Sequence, residues 1–447
     1  MLGRSGFGES WLGYGGSERG EAETLLGAVA FTEQGAEHMG TSDLGRYALN
    51  VCVAVMLAGC GNGSGTPLSP SPAGPSTALR VTTAERTRPS VTYGVLYSFQ
   101  GGSADGESPD ADLLDVKGLY GTTFGGGANG EGIVFVITTA GAETVLHSFP
   151  SGSGDGERPA GGLIKVKSKL YSTTLDGGAN DDGTVYSVTT SGKESVLYSF
   201  GRSGDGKRPG GGLLNVKGML YGTTCCGGAN SDGTVFSVTT SGTEIVLHSF
   251  GGSGDGEDPV AGLINVKGTL YGTTDVGGAN GYGTVFTITP SGTETVIYSF
   301  KGGSADGAYP QAGLVDVNGT LYGTTNEGGA TCGASGGCGT VFSITPSGKE
   351  TVIHTFPTGS GDGEYPDATL IAVKGQLYGT TCCGGASGYG TVFAIAFGVE
   401  TVLHSFPTGS YDGEDPVAGL TNVKGTLYGT TDKGGANGGG TVFRLSP

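Results

Sequence analysis

Leu270-Tyr271-Gly272-Thr273-Thr274, followed by Gly283-Thr284-Val285-Phe286, is the stretch whose reading decides the fold. Counterparts recur seven times, with tyrosines at 120, 171, 221, 271, 322, 378 and 428. Most of these lie 50 or 51 residues apart, and an insertion lengthens the step from Tyr322 to Tyr378. A period near 50 residues signals repeated supersecondary units, each too small to bury its own apolar face.

Within one unit, four β-rich runs are separated by turn residues. They are Gly262 to Val266 (A), Leu270 to Thr274 (B), Thr284 to Thr289 (C) and Thr293 to Phe300 (D). Lys267-Gly268 lies between A and B, and Asn318-Gly319 holds the same place in the fifth unit. Asn-Gly is a strong two-residue hairpin signal, because both residues tolerate positive φ. Pro290-Ser291-Gly292 between C and D suits a type I turn with a left-handed glycine after it. Strict alternation puts Thr284, Phe286 and Ile288 on one face of C, and Val296, Tyr298 and Phe300 on one face of D. Apolar residues on both faces mean that both are covered.

Four antiparallel strands per unit, stacked around an axis, predict an all-β, seven-bladed β-propeller of four-stranded antiparallel blades. The order of pieces supports a ring. The repeated region opens with a D-type run, Val95 to Phe99, and finishes with a C-type run, Gly440 to Leu445. Pairing the two would close the ring and remove two open sheet edges. Two smaller propellers or an open β-solenoid are the alternatives.

Such units resemble the GloVer tandem repeats of bacterial surface proteins, built on LYGTT, a Gly-Gly loop, GTVF and VLYSF. The likeness runs from about Val95 to the end. Departures are Ser172 for glycine, Ile133 for threonine, and Ala396-Phe397-Gly398 in place of the usual C–D turn. Kelch blades are a looser likeness. The resemblance implies a secreted or anchored repeat protein, and it brings no catalytic residues.

Ahead of the repeats, residues 1–38 are Gly- and Glu-rich without a period, and read as disordered or as a wrongly assigned start. Residues 39–60 read as a signal peptide: an apolar run from Tyr47 to Leu57, too short to span a bilayer as a helix, ends at Leu57-Ala58-Gly59-Cys60. That ending resembles the lipobox of bacterial lipoproteins, which implies export across the inner membrane, cleavage before Cys60 and acylation of its sulfur. Gly61 after it favours the outer membrane or cell surface. Residues 61–90 are a Pro/Ser/Gly linker, and 91–447 the propeller.

Only 14 % of residues are charged, and the formal net charge is −18. This acidic balance argues against nucleic acid and anionic membrane surfaces as partners, and leaves the lipid anchor as the membrane contact. The 94 glycines recur at fixed places, as turns do.

The D–A and B–C loops should share one rim. The D–A loops carry Asp105, Asp155, Asp205, Asp255, Asp306, Asp362 and Asp412, each before a glycine. Calcium is the cofactor they suggest, although one carboxylate per loop is few for a hard cation. The structural reading is a carboxylate holding its own backbone. The glutamates two residues on, Glu107, Glu157, Glu257, Glu364 and Glu414, read as solvated. His147, His248, His354 and His404 share one D-strand position with Tyr97, Tyr198 and Tyr298, which suggests a packing slot with a polar tip. Cys332 and Cys338 bracket the fifth unit's insertion and fit a disulfide. The Cys225-Cys226 and Cys382-Cys383 pairs lack the spacing of a metal or redox motif. No nucleophile elbow or phosphate loop stands out. The expectation is therefore a monomeric surface binding module whose loop face meets a protein or a glycan. A polysaccharide-acting enzyme or a ligand-free spacer are the other readings.

Overall fold

The computed structural model describes residues 91–447 apart from Ser153, residues 330–335, Ser360 and Ser410. The leader, Cys60, the linker and Cys332 lie outside the described residues. Among the described residues no helix is long and apolar enough to cross a membrane.

Seven four-stranded antiparallel blades form one ring. Blade 4 is typical: A is Ile264–Val266, B is Thr269–Thr274, C is Thr284–Ile288 and D is Glu294–Ser299. Blades 1 to 3 occupy 114–148, 164–199 and 214–249; blades 5 and 6 occupy 315–355 and 371–405. Blade 7 combines Thr421–Val423, Thr426–Thr431 and Thr441–Ser446 with Thr92–Ser98 from the front of the repeats. Thr92 pairs with Ser446 and Ser98 with Thr441. The expected latch is there, and it excludes an open solenoid or two smaller rings. The A strands of blades 2 to 7 each touch the next, and that of blade 7 touches that of blade 1.

Local chemistry explains the repeated words. Lys267 and Gly268 both take positive φ, 54° and 96°, as a primed hairpin turn needs. Gly272 must be glycine, because a Cβ there would sit 2.6 Å from the Phe286 ring and 2.7 Å from Leu263. The two threonines after it are buried and serve different ends. Thr273 donates to the Ala312 carbonyl of the next blade at 2.9 Å, while Thr274 meets Thr284 of its own blade at 2.8 Å.

The core lies between blades. Phe250 of blade 3 packs edge-on to Phe286 of blade 4 at 5.2 Å, in a cluster with Leu263, Leu270 and Ile288. At the closure, Phe99 meets Phe135 of blade 1 at 5.1 Å in the same way. Burying each ring contributes roughly 1.5–3 kcal/mol, and none of that is available to a blade standing alone.

One expectation fails. Val296 and Tyr298 do not share a face. Val285 pairs with Tyr298 but Phe286 pairs with Val296, so Ile297 is an extra residue in D. This bulge shifts the alternation by one and puts both Ile297 and Tyr298 against blade 5. A corresponding register shift occurs in every blade.

Candidate functional site

The D–A and B–C loops pack on each other at one rim. Gly256-Glu257 pairs with Val276-Gly277, and equivalent short ladders recur in blades 1, 3, 5 and 6. The Gly-Gly pair is structural: Gly277 and Gly278 take φ of 80° and 77°, and a Cβ on Gly277 would lie 2.7 Å from the Glu257 nitrogen. Asn280 reaches across to the Phe300 carbonyl at 3.1 Å. A second set of backbone bonds runs from each D–A loop to the preceding blade's B–C loop. It comprises Ser108 to Gly439, Arg158 to Glu131, Arg208 to Asp182, Asp258 to Asp232, Tyr309 to Tyr282, Tyr365 to Cys338 and Asp415 to Tyr389. The rim is therefore a circle of hydrogen bonds with a single direction.

Upon this regular frame the side chains differ. Blades 1 to 3 carry charge: Arg158 lies 3.1 Å from Asp176, Arg208 3.4 Å from Asp176, and Lys207 3.2 Å from Asp182. The later blades carry tyrosines, and blade 7 also keeps an ion pair, Lys433 lying 3.0 Å from Asp415. Tyr282 and Tyr309 meet edge-on at 5.8 Å, and Tyr365 and Tyr389 are half-buried nearby in sequence-equivalent places. Tyr411 is 75 % exposed where the other loops have glycine or alanine, beside a groove lined by Lys433, Gly434 and Gly435.

The seven loop aspartates turn inward, into the seams between blades. Asp105, Asp205 and Asp306 are buried. Each accepts from the next glycine nitrogen and from a tyrosine hydroxyl of the preceding D strand: Tyr97, Tyr198 and Tyr298, all at 2.8 Å. Asp155, Asp255, Asp362 and Asp412 face His147, His248, His354 and His404 at 3.5, 3.0, 3.2 and 3.7 Å. The aspartate and the alternating Tyr/His position, separate signals in the sequence, form one unit. Glu157 and Glu414 hold the loop nitrogens of Gly152 and Gly409 at 2.6 and 3.0 Å.

A third partner was not singled out by sequence. Glu143, Glu194, Glu244, Glu294 and Glu350 begin the D strand of the next blade, Glu400 is second in its own, and all six enter the same seams. Burial, joined by the neighbouring aspartate's charge, pushes each up to about 7. The signal was available, since each stands six residues before the buried phenylalanine of its blade. In the seventh seam that position is Tyr93, which stacks on His404 at 3.7 Å and donates to the Asp412 carbonyl at 2.5 Å.

Cys338 is disulfide-bonded, and its expected partner Cys332 lies outside the described residues. The vicinal pairs are not disulfides: their sulfurs are 2.7 Å apart at Cys225/Cys226 and 3.1 Å at Cys382/Cys383.

The pattern of the Gloeobacter/Verrucomicrobia repeat matches residues 118–335 and 331–447. No curated protein matches the chain. Among solved structures, a polysaccharide lyase, Uly1, is similar at 12 % identity and a TM-score of 0.44, over 78 % of this chain and 92 % of that one. PorZ, a surface component of the type-IX secretion system of Porphyromonas gingivalis, is similar at 13 % identity and 0.44, over 77 % and 47 %. A luciferin-regenerating enzyme is similar at 12 % identity and 0.39, over 65 % and 91 %.

Proposed function

The chain belongs to the Gloeobacter/Verrucomicrobia repeat family, and from that premise we propose that it is an extracytoplasmic, lipid-anchored binding module. Its rim of D–A and B–C loops is the contact surface, for an envelope glycan or protein. One observation carries this reading: the rings of Tyr282, Tyr309, Tyr365, Tyr389 and Tyr411 break the repeat on that rim, whose repeated bonds use only the backbones of the first four. Tyrosine supplies large contact area with few rotatable bonds and a polar tip, which suits stacking on sugar rings or protein surfaces. The Gly-rich groove beside Tyr411 leaves its ring accessible to a partner.

Tyr411→Ala should abolish capture on a glycan array or by envelope extract while leaving the melting curve in place. Retained capture would remove the rim from the reading, and turnover of a bound polysaccharide would replace a binding module by an enzyme. Anchoring is tested separately. Cys60→Ser should move the protein from the membrane fraction to the soluble one, and unchanged sedimentation would overturn the lipid anchor.

A further inference from the structure

We propose that three of the seven seams, those of His147, His248 and His354, each bind a divalent transition-metal ion of the zinc type. In each, an imidazole from one blade, the loop aspartate after it and a glutamate from the next blade converge: His147/Asp155/Glu194, His248/Asp255/Glu294 and His354/Asp362/Glu400. One donor atom from each of the three lies within 4.8 Å of the other two. A tetrahedral zinc with bonds near 2.0–2.1 Å holds its ligand atoms about 3.3 Å apart. The Nε2-to-Oδ2 distances of 3.5, 3.0 and 3.2 Å already match that spacing. Three protein ligands leave the fourth position for water.

A second observation concerns the buried polar atoms of the seams. Every seam glutamate keeps one buried carboxylate oxygen with no hydrogen-bond partner, Glu143, Glu244 and Glu350 of the tyrosine seams included, and in the histidine seams His147 Nε2 also lacks a hydrogen bond while facing Asp155 at 3.5 Å. A buried polar atom left so is costly, and an ion would satisfy it. Two carboxylates facing each other across a half-buried seam also repel, and a dication would neutralise them. One nitrogen and two carboxylates suit zinc, cobalt or nickel better than calcium, which takes six to eight oxygens.

The fold supplies its own controls. The alternate seams hold tyrosine in the histidine's place, and there the hydroxyl occupies the gap: Tyr298 donates to Asp306 at 2.8 Å and approaches Glu350 at 3.4 Å. Burial and the adjacent aspartate raise these phenols further above their ordinary range, so they stay protonated and ligate poorly. At His404 the glutamate is missing. Such ions would bind neighbouring blades to each other at their outer strands, and raise stability by mass action.

The test uses the full chain, stripped with a chelator and dialysed against zinc or cobalt chloride, with metal counted by elemental analysis. The expected count is up to three equivalents, with a rise in melting temperature. His147→Tyr, His248→Tyr and His354→Tyr each convert a seam to the pattern that already folds in three others. Each should lose one equivalent, and the triple variant should lose all three together with the melting shift. A count below one would overturn the proposal. So would a count untouched by these changes, or one that follows the Cys225/Cys226 and Cys382/Cys383 thiols.

Discussion

His248 and His404 stand at the same strand position, beside the same loop aspartate, yet their basicities move in opposite directions. Burial pulls both down. At His248 the hydrogen bond and charge of Asp255, with Glu294, outweigh burial and leave the ring more basic than usual. At His404 burial prevails over Asp412. The larger part of the difference is the aspartate's hydrogen bond, made at 3.0 Å by Asp255 and lost at His404, where Asp412 stands 3.7 Å away; the adjoining blade adds Glu294 to one and Tyr93 to the other. Each blade thus completes the chemistry of its predecessor, and only the seam made by the front strand is completed differently.

The largest effect should come from testing whether that closing seam is as firm as the internal ones. Phe99→Ala and Phe250→Ala should each cost about 3–5 kcal/mol in denaturant unfolding, because both rings are wholly buried against the next blade's phenylalanine. A markedly smaller cost at Phe99 would mean that the latch is loosely held, and the comparison with internal seams would break.

Next in size is the glycine of the B strand. Gly222→Ala would place a Cβ 2.5 Å from the Phe236 ring and should cost about 1–3 kcal/mol by overpacking. Blade 2 carries Ser172 there, with Tyr186 in place of phenylalanine opposite, and the serine hydroxyl donates to the Gly161 carbonyl at 2.6 Å. Ser172→Gly should therefore lose only about 1 kcal/mol. Equal costs would show that the two blades tolerate bulk alike.

A smaller effect follows from the six seam glutamates. Their folded values near 7 exceed the ordinary 4.5, so between those limits the folded state holds more protons than the unfolded one. Stability should fall as pH rises from about 4.5 to 7. His248, raised by its partners, adds a loss in the same direction on passing its own folded value. In chelator, melting at pH 5.5 should exceed that at pH 8 by a few degrees, and Glu244→Gln with Glu350→Gln should flatten the slope. A slope of opposite sign would remove the buried carboxylates from the account.

The smallest change is a single ring's titration. Tyr93→Glu supplies the missing carboxylate, and NMR should find His404 moved from below its ordinary 6.5 to above it. Glu294→Gln should lower His248. If neither moves, the adjoining blade has no share in the difference.

Much of this was written in one dimension. Seven units on the LYGTT and GTVF pattern determine strands, turns, blade number and the offset that closes the ring. These depend on local pattern: Lys267-Gly268 turns and Gly272 makes room within a single unit. The D-strand bulge at Ile297 was not legible, because alternation inside one strand cannot reveal an extra residue that only its partner's register exposes. The rim's role as a direct ring of backbone bonds was equally hidden.

The seams were half visible. Asp255 and His248 were each marked as recurrent, but the loop between them concealed that they touch. Glu294 went unmarked, since a charged residue at a strand's start reads as solvated until the neighbouring blade covers it. The sequence by itself determined what each blade is. The tertiary structure alone decided what lies between blades, because burial, and with it every shifted carboxyl and imidazole, exists only where two of them meet.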